Sequence, residues 1–481
     1  MDTKKLRQKI LDLAIRGKLI PQDPNDEPAS VLIEKIRVEK EQLIKEKKIK
    51  RDKNESYIYR SDKSYYEKFA DGTTKCIDEE IPFGIPESWE WCRGYTCFLP
   101  MVSTKPTSEF FRYIDIESVD NKKHCITSPK VIRSNEAPSR ASRKLSSGDT
   151  LFSMVRPYLE NIAFIDDSYA DCIASTGFYV CKPNEFLFSE YSFRLMTSLY
   201  VIKGLNQYMK GDNSPSINND NILSWLYPIP PFSEQQKIVS SIKKYNSLIN
   251  ELEANKADLE EFVAQTKSKI LDLAIRGKLV PQDPSDEPAS VLLERIKTEH
   301  SVSKKTTKKT SDNSHYPFDI PESWEWCSLD QISQHISAGG DKPVNYSVSK
   351  TSKYSIPIYS NGKDKDGLYG YTDNATINKP SITISARGTI GFSCIRFEPF
   401  CPIVRLISIT PNILIIDIIY LHYTLMSLIP QGEGSSIPQL TIPNIKPKEI
   451  PIPPILEQKR IVKKIEDIFA SLDEIVNSII A

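Results

Sequence analysis

Long apolar runs are missing from this 481-residue sequence. No stretch approaches the roughly 18 apolar residues that a membrane-spanning helix needs, and the longest candidate, IPNIKPKEIPIPPIL, is interrupted by Pro and Lys. The N-terminal segment MDTKKLRQKILDLAIRGK also lacks the uncharged core and the small-residue cleavage site of a secretory signal. These absences predict a protein that stays in the cytoplasm, without a membrane partner.

An excess of charge is missing as well, because 63 Lys and Arg are balanced by 63 Asp and Glu. Any contact with nucleic acid must therefore depend on local basic patches. The nine cysteines form no C-x-x-C pair, which predicts reduced thiols in a reducing compartment. The five histidines show no H-E-x-x-H and no spacing with Cys that suits zinc, so no metal site is predicted.

The usual signatures of catalysis are absent too. The sequence contains neither the phosphate-binding G-x-x-x-x-G-K-[ST] nor a G-x-G-x-x-G after a strand. The Asp/Asn-Pro-Pro-aromatic loop of DNA amino-methyltransferases has only a distant counterpart, Ile229-Pro230-Pro231-Phe232. A Ser/His/Asp set stays open at this level, but no nucleophile elbow occurs. We therefore expect a non-catalytic chain without a cofactor of its own.

What the sequence does contain is an internal duplication. KILDLAIRGKLIPQDPNDEPASVLIEKI, at 9–36, returns with four changes as KILDLAIRGKLVPQDPSDEPASVLLERI, at 269–296. Two further motifs recur: PFGIPESWEWC at 82–92 as PFDIPESWEWC at 317–327, and PIPPFSEQQKIV at 228–239 as PIPPILEQKRIV at 451–462. The intervening segments show no comparable match. A duplicated frame therefore holds two different inserts, unlike a short-period solenoid.

The frame has the period of long helices. Steps of four and three link a set of mostly apolar positions, as in a coiled coil: Ile238, Ile242, Tyr245, Ile249, Leu252, Lys256, Leu259, Val263, Thr266, Ile270 and Leu273. The C-terminus repeats the first part of this helix, and the N-terminus repeats the second part. We therefore expect the C-terminal helix, 455–481, to pair with the N-terminal helix and to close the chain into a pseudo-two-fold ring.

Each copy of the frame also predicts a helical hairpin. Gly17 and Gly277 suit helix ends, and Asp26 and Asp286 suit the N-caps of the helices that follow. The identical recurrence of Trp in PESWEW favours structural anchors over base-stacking residues. The predicted structural or partner-binding residues of the frame are Leu13, Ile15, Arg16, Leu273, Ile275, Arg276, Trp89 and Trp324.

The inserts alternate short β-like runs with turns. DTLFSMV, NIAFID and GFYVCK occur in the first insert, and SITISA, GFSCIRF and IVRLISI occur in the second. EYSFRLMTSLYVIKGLNQYM and IIYLHYTLMSLI are the best helical stretches. Each insert is therefore expected to be a compact α/β domain.

Cations among polar and aromatic residues indicate a DNA-binding face on each insert, although each could also be an ordinary solvated loop residue. Such side chains suit contacts with phosphates and with base edges. The predicted DNA-binding residues are Arg140, Arg143, Lys144, Arg156, Tyr158, Tyr359, Asn361, Lys363 and Arg387.

The duplicated LDLAIRGKLxPQDPxDEPAS, IPESWEW and PIPPxxEQ motifs around two unlike inserts resemble the specificity subunit of type I restriction–modification enzymes. GDTLFSMVRPYLENIA and SARGTIG are similar to segments of that family's target recognition domains. The resemblance implies that each insert reads one half of a bipartite, asymmetric double-stranded DNA site. It also implies that the helical regions set the half-site spacing and carry two modification (methyltransferase) subunits. Restriction (translocase/endonuclease) subunits would complete the complex, and S-adenosylmethionine, ATP and Mg would bind to the partners.

The fold expected from these observations is α+β, with two α/β target recognition domains separated by two antiparallel coiled-coil or helical regions in a pseudo-two-fold circular arrangement. The predicted boundaries are an N-terminal helical region at 1–50, a charged linker at 51–80, recognition domain 1 at 81–231, a central coiled coil at 232–300, a linker at 301–315, recognition domain 2 at 316–454, and the C-terminal helix at 455–481. The first linker could be a tether or a partner contact. The alternative functions are a methylation-only or phage-exclusion complex, or a coiled-coil adaptor that binds protein.

Overall fold

The computed structural model describes residues 2–299, 316–430, 432–433 and 439–480. The predicted linker at 301–315 lies outside the described residues. The chain forms two compact units, unit 1 at Met1–Ala254 and unit 2 at Asn255–Ala481. Both units combine helices with sheets, which confirms the predicted α+β class.

Unit 1 begins with the helical frame and then enters the first insert. Its helices are α1 (Thr3–Ile15), α2 (Ala29–Lys45), α3 (Gly94–Cys97), α4 (Ser189–Met196), α5 (Leu199–Asn206), α6 (Asn219–Ser224) and α7 (Phe232–Ile275), of which α7 continues into unit 2. Its strands are β1 (Ser56–Ser61), β2 (Ser64–Phe69), β3 (Thr74–Cys76), β4 (Glu90–Arg93), β5 (Phe98–Leu99), β6 (Phe110–Ile114), β7 (Val119–Asp120), β8 (Cys125–Ile126), β9 (Lys130–Arg133), β10 (Ala141–Lys144), β11 (Thr150–Ser153), β12 (Ile162–Phe164), β13 (Ile173–Ser175), β14 (Phe178–Pro183) and β15 (Leu226–Ile229).

Unit 2 continues from the second half of α7. Its other helices are α8 (Ala289–Glu299), α9 (Ile418–Leu428), α10 (Ile442–Ile445) and α11 (Ile455–Ile480). Its strands are β16 (Glu325–Ser328), β17 (Ser333–Ala338), β18 (Tyr346–Ser347), β19 (Ile356–Tyr359), β20 (Leu368–Thr372), β21 (Ser381–Ile384), β22 (Thr389–Ile390), β23 (Ser393–Arg396), β24 (Cys401–Pro402), β25 (Ile407–Pro411), β26 (Gly432–Glu433) and β27 (Glu449–Ile452).

The helical frame of unit 1 is an antiparallel pair of α1 with the first half of α7. Arg7, near the start of α1, donates from its guanidinium to Asn250 Oδ1 (2.7 Å) and Glu253 Oε2 (3.0 Å). Gln22, beyond the end of α1, donates instead to Glu234 Oε1 near the start of α7 (2.8 Å). Apolar side chains fill the seam, including Ile10 of α1 and Ile242 of α7.

The frame of unit 2 repeats this arrangement with the second half of α7 and α11. Lys267 donates to Asp473 Oδ1 (2.6 Å), and Gln282 donates to Glu457 Oε1 (2.6 Å), so these helices also run antiparallel. The predicted pairing of the C-terminal helix with the N-terminal helix concerns the relative placement of the two units. That pairing and the circular closure therefore stay predictions.

The turn after each LDLAIRGKL motif brings the frame against its insert. Gly17 and Gly277 both have a φ of +66°, as predicted for helix ends. The predicted N-caps at Asp26 and Asp286 are wrong, because α2 begins at Ala29 and α8 at Ala289, three positions after each aspartate. The two carboxylates pair with cations of the antiparallel helix instead: Asp26 with Lys237 (2.9 Å) and Asp286 with Arg460 (2.5 Å).

The duplicated motifs also pair with each other. Strand β4, from PESWEW, lies antiparallel to β15, from PIPP, and β16 pairs in the same way with β27. Trp91 stands opposite Pro228, and Trp326 stands opposite Pro451. Each insert is thus closed at its base by a two-stranded sheet made from its own two ends.

The two inserts share a topology despite their unlike sequences. One sheet has the order β12-β11-β14-β5 in unit 1 and the equivalent order β23-β21-β25-β17 in unit 2. A second sheet contains β13-β6-β9 in unit 1 and β24-β19-β20 in unit 2, each with one parallel pair. The central strands TLFS and SITI are fully buried, which explains why they are continuous apolar or small-residue runs.

Two sequence expectations fail in unit 1. The segment 51–80, predicted as a charged linker, instead contains β1, β2 and β3, an antiparallel sheet that buries Ile58 and Tyr65 beside Trp91. The cysteines are not all reduced, because Cys92 and Cys97 form a disulfide. Among the described helices, none is long and apolar enough to cross a membrane.

Candidate nucleic-acid interface

Both inserts place an arginine at the same point of the fold. Arg156 follows the last residue of β11 by three positions, and Arg387 follows the last residue of β21 by three positions. Because β11 and β21 are equivalent strands, the shared topology puts the two arginines at equivalent sheet ends. Both side chains are exposed. The sequence motifs around them, SMVRPY and SARGTIG, do not align well enough to reveal this equivalence.

Arg156 lies in a cluster of loops at one end of unit 1. Its backbone is left-handed (φ +47°), its N–H donates to the Pro215 carbonyl (2.7 Å), and its Nη2 donates to the Asn213 carbonyl (2.8 Å). Tyr158 is 46% exposed in the same loop. Asn121 donates to the Leu159 carbonyl (2.8 Å), which brings the exposed Lys122 and Lys123 beside this loop. The structure therefore gathers two predicted residues, Arg156 and Tyr158, with additional lysines.

The remaining predicted residues of unit 1 lie on or beside β10. Arg140 is exposed, and its carbonyl accepts the Thr176 N–H (2.9 Å). In the same turn, the Gly177 carbonyl accepts the Met154 N–H (2.9 Å). This turn therefore connects Arg140 to the Arg156 loop. Lys144 is exposed, whereas Arg143 is half-buried in a recess of about 580 Å³. Burial lowers the pKa of the Arg143 guanidinium, and its Nε has no hydrogen-bond partner among the described residues.

In unit 2, two predicted DNA-binding residues serve the fold itself. The Tyr359 ring is covered by the Arg396 guanidinium, 3.6 Å from the ring centroid, and meets Phe400 edge-on. The Asn361 side chain accepts the Ala386 N–H (2.8 Å) and donates to the Val404 carbonyl (2.7 Å). Such internal hydrogen bonds leave Asn361 less able to read a base edge than its sequence context indicated.

Arg387 and Lys363 are exposed beside that network. A further arginine, Arg405, is exposed in a turn where both Val404 (φ +53°) and Arg405 (φ +60°) are left-handed. The sequence interpretation was wrong here, because it took IVRLISI as one strand, whereas β25 begins only at Ile407. The single charge inside an apolar run was the signal that could have marked the turn.

The frame residues predicted as structural or partner-binding are largely occupied within their own units. Ile15 and Ile275 are buried, while Leu13 and Leu273 are half-buried. Arg16 pairs with Asp12 (2.8 Å) and lies over the Phe83 ring, and Arg276 pairs in the same way with Asp272 (2.9 Å) and Phe318.

Trp89 and Trp324 each belong to a Trp–Glu–Gln clamp, a set of hydrogen bonds between frame and insert that occurs once in each unit. The buried Trp89 indole donates to Glu234 Oε2 (2.9 Å), and Trp324 donates to Glu457 Oε2 (3.0 Å). Gln22 or Gln282 donates to the other carboxylate oxygen of each glutamate. Burial raises the pKa of Glu234 and of Glu457, since a desolvated carboxylate favours its neutral form.

The glutamine that follows each of these glutamates forms a hydrogen bond with a helix of the insert. Gln235 accepts the Phe188 N–H (2.7 Å) at the start of α4, and Gln458 accepts the Asp417 N–H (2.7 Å) at the start of α9. The EQ dipeptide of the duplicated PIPPxxEQ motif therefore contacts three segments: the turn that carries Gln22 or Gln282, the PESWEW motif, and the start of an insert helix. The repeat is visible in the sequence, but these contacts between distant segments are not.

A metal centre is not found in the described part of the chain, where no group of three or more His, Cys, Asp and Glu residues could hold an ion. The chemistry at the two strand ends is instead that of guanidinium, ammonium and phenol groups on exposed loops. These groups suit phosphates and base edges.

Known proteins are similar to this chain in sequence and in structure. The curated specificity subunit of the type I restriction enzyme EcoEI from Escherichia coli is 23% identical, over 98% of this chain and 90% of its own length. The corresponding EcoAI subunit is 24% identical over the same shares. The crystal structure of the HsdS subunit from Thermoanaerobacter tengcongensis has a TM-score of 0.54 at 25% identity, covering 83% of this chain and 92% of that chain.

A second solved structure, from work on the complex assembly and conformational transition of the type I R-M system, has a TM-score of 0.59 at 25% identity and covers 94% of that chain. The family model described as the type I restriction modification DNA specificity domain matches this chain twice, at 107–261 and 321–481. Each match spans most of one insert and the frame helix behind it. The chain therefore belongs to the family of type I restriction–modification specificity subunits.

Proposed function

We propose that unit 1 and unit 2 each read one half of a bipartite, asymmetric site in double-stranded DNA. The observation that carries this proposal is the pair of exposed arginines, Arg156 and Arg387, at equivalent strand ends of inserts with unlike loops. Equivalent positions give both inserts the same mode of approach to the duplex. Unlike surrounding residues give each insert a different preference for bases.

The long helix α7 supports a role in spacing the two half-sites. Its 44 residues, Phe232–Ile275, form one continuous helix. One continuous helix is stiffer than a flexible linker of the same length. It therefore suits an element that fixes the spacing between the two half-sites.

The duplicated frame supports docking of two identical methyltransferase subunits. Each unit carries the same antiparallel helix pair and the same Trp–Glu–Gln clamp, so each can offer an equivalent surface to an identical partner. In this proposal the chain is not a catalyst. The methyltransferase partners bind S-adenosylmethionine, and restriction subunits supply the ATP- and Mg-dependent translocation and cleavage.

The test is selection of DNA by the chain assembled with its methyltransferase subunits, from a duplex library with random positions. The expected result is a motif with two defined halves and an unspecified spacer of fixed length. Arg156→Ala should weaken base preference in one half only, and Arg387→Ala should weaken it in the other half only. Equal loss in both halves from either variant would contradict the assignment of one insert to one half-site.

The DNA selection, together with a binding assay for a restriction subunit, separates the alternatives. A complex that selects DNA at random would favour a coiled-coil adaptor that binds protein. A complex with a bipartite motif that methylates but never recruits a restriction subunit would be a methylation-only or phage-exclusion system. In a methylation-only or a phage-exclusion system, the chain would recognise DNA in the same way as in a restriction system.

A further inference from the structure

Asn361 connects two turns of unit 2 that are far apart in the sequence. Its Oδ1 accepts the Ala386 N–H (2.8 Å), directly before Arg387, and its Nδ2 donates to the Val404 carbonyl (2.7 Å), directly before Arg405. A backbone N–H can only donate and a carbonyl can only accept, so this position requires a side chain that offers one acceptor and one donor. An amide meets that requirement, whereas a carboxylate or an apolar group does not.

The turn that carries Arg405 is held in an unfavourable backbone conformation. Val404 is β-branched yet has a φ of +53°, a region that such residues rarely occupy. Backbone bonds from the Val404 N–H to the Gly340 carbonyl (2.8 Å) and from the Arg405 N–H to the Gly339 carbonyl (2.9 Å) also hold the turn. A Cβ at position 339 would lie 2.7 Å from the Ile403 nitrogen, so only glycine allows this approach.

Arg387 and Arg405 directly follow the two residues that Asn361 joins, Ala386 and Val404. The loop after Gly362 carries Lys363, Asp364, Lys365 and Asp366, whose formal charges cancel. Arg387 and Arg405 are both exposed, and neither guanidinium has a hydrogen bond or an ion pair with a described residue. Arginine in this state is suited to bidentate contact with a guanine edge or with a phosphate.

From this geometry we propose that Arg405 is a second specificity-determining residue of unit 2 and that Asn361 is its positioning residue. Asn361 holds the Arg405 turn at a fixed distance from the Arg387 turn, so that the two arginines read neighbouring positions of one half-site. This inference rests on the proposed function of unit 2 as a DNA reader. It assigns to Asn361 an indirect function in place of the base contact expected from the sequence.

Three variants of the assembled methyltransferase complex test the proposal in the same DNA selection. Arg405→Ala should reduce discrimination at one or two positions of the unit 2 half-site by roughly 5- to 150-fold, the range for loss of a bidentate base contact, and leave the other half-site unchanged. Asn361→Asp retains the acceptor for Ala386 but sets a carboxylate oxygen against the Val404 carbonyl. It should therefore lose the positions that depend on Arg405 and keep those that depend on Arg387.

Asn361→Ala removes both bonds and should weaken both sets of positions. Lys379→Ala is the matched control, because Lys379 is an exposed cation at the other end of β21 whose Nζ bonds to Gln334 Oε1 (2.7 Å). Its motif should equal that of the wild type. Circular dichroism and the stoichiometry of the complex verify that each variant folds and assembles.

Two results would overturn the inference. An Arg405→Ala complex with the wild-type motif would show that Arg405 does not contribute to base preference. A loss of affinity that is equal on all sequences, with a weaker salt dependence, would show the same, because that combination marks a phosphate contact. An Asn361→Asp complex that loses the Arg387 positions to the same extent would remove the positioning function. Failure of the wild-type complex to select any bipartite motif would instead refute the proposed function itself, which keeps the two outcomes distinct.

Discussion

Replacing Gly17 with alanine tests how the duplicated LDLAIRGKL and PESWEW motifs depend on each other. Gly17 has a φ of +66°, and an added Cβ would lie 2.3 Å from Pro86 Cγ and 3.2 Å from Trp89 Cζ2. Neither neighbour can move away easily, since Pro86 is a half-buried ring and Trp89 is 0% exposed. The substitution therefore adds a steric conflict to an unfavourable backbone conformation.

The two costs can be estimated separately. Left-handed backbone at a residue with a Cβ costs about 1–2 kcal/mol, and overpacking of a well-filled site costs about 1–3 kcal/mol. Gly17→Ala should therefore destabilise unit 1 by roughly 2–5 kcal/mol. Gly72→Ala is the matched control, because Gly72 has a φ of +88° but no atom within 4 Å of an added Cβ. It should cost only about 1–2 kcal/mol.

Hydrogen–deuterium exchange followed by mass spectrometry suits this measurement, because it reports the free energy of opening separately for peptides of each unit. Gly277→Ala meets Pro321 Cγ at 2.4 Å and Trp324 Cζ2 at 3.2 Å, so it should destabilise unit 2 by a similar amount. The reasoning is refuted if Gly17→Ala costs no more than Gly72→Ala. In that case the close approach of Pro86 and Trp89 does not explain the glycine.

Three further predictions concern burial. Burial raises the pKa of Glu90 to about 7 from an ordinary value of 4.5. Between these pH values the folded state holds a proton that the unfolded state has lost, so the stability of unit 1 should fall as the pH rises. In urea titrations, Glu90→Gln should remove this dependence and be more stable than the wild type at pH 8. Trp324→Phe leaves a buried oxygen of Glu457 without its indole donor and should cost about 1–3 kcal/mol in the exchange measurement, whereas an unchanged value would mean that the clamp adds nothing. Ile58→Ala should open the 51–80 sheet to limited proteolysis. Cleavage of the wild type at the same rate would mean that burial of Ile58 does not protect this segment.

Much of the fold could be predicted because the duplication exposes it. Motifs that recur around unlike inserts must belong to a shared frame, and the helical period of α7 is long enough to be unambiguous. The sheet at 51–80 could not be predicted in this way, since the segment has no counterpart of equal length in the second copy. Its many charges also obscure the short strands that bury Ile58 and Tyr65. The expected N-caps failed because Asp26 and Asp286 bond across the helix pair instead of locally.

The candidate site was less predictable than the fold. Exposed cations such as Arg156, Arg387 and Lys363 can be selected by residue type and by their position after a strand. The hydrogen bonds of Asn361 could not be predicted, because its two partners, Ala386 and Val404, are 25 and 43 positions away. Nothing local to Asn361 distinguishes a brace between turns from a side chain that faces solvent.

The sequence by itself determined that this chain is a duplicated helical frame around two different inserts, because repetition and periodicity are properties of the linear order of residues. Only the tertiary structure decided that the two inserts share a topology, that PESWEW pairs with PIPP, and that Arg156 and Arg387 stand at equivalent strand ends. These relations depend on hydrogen bonds and packing between distant segments. Such contacts tolerate many different side chains and therefore leave little trace in the sequence.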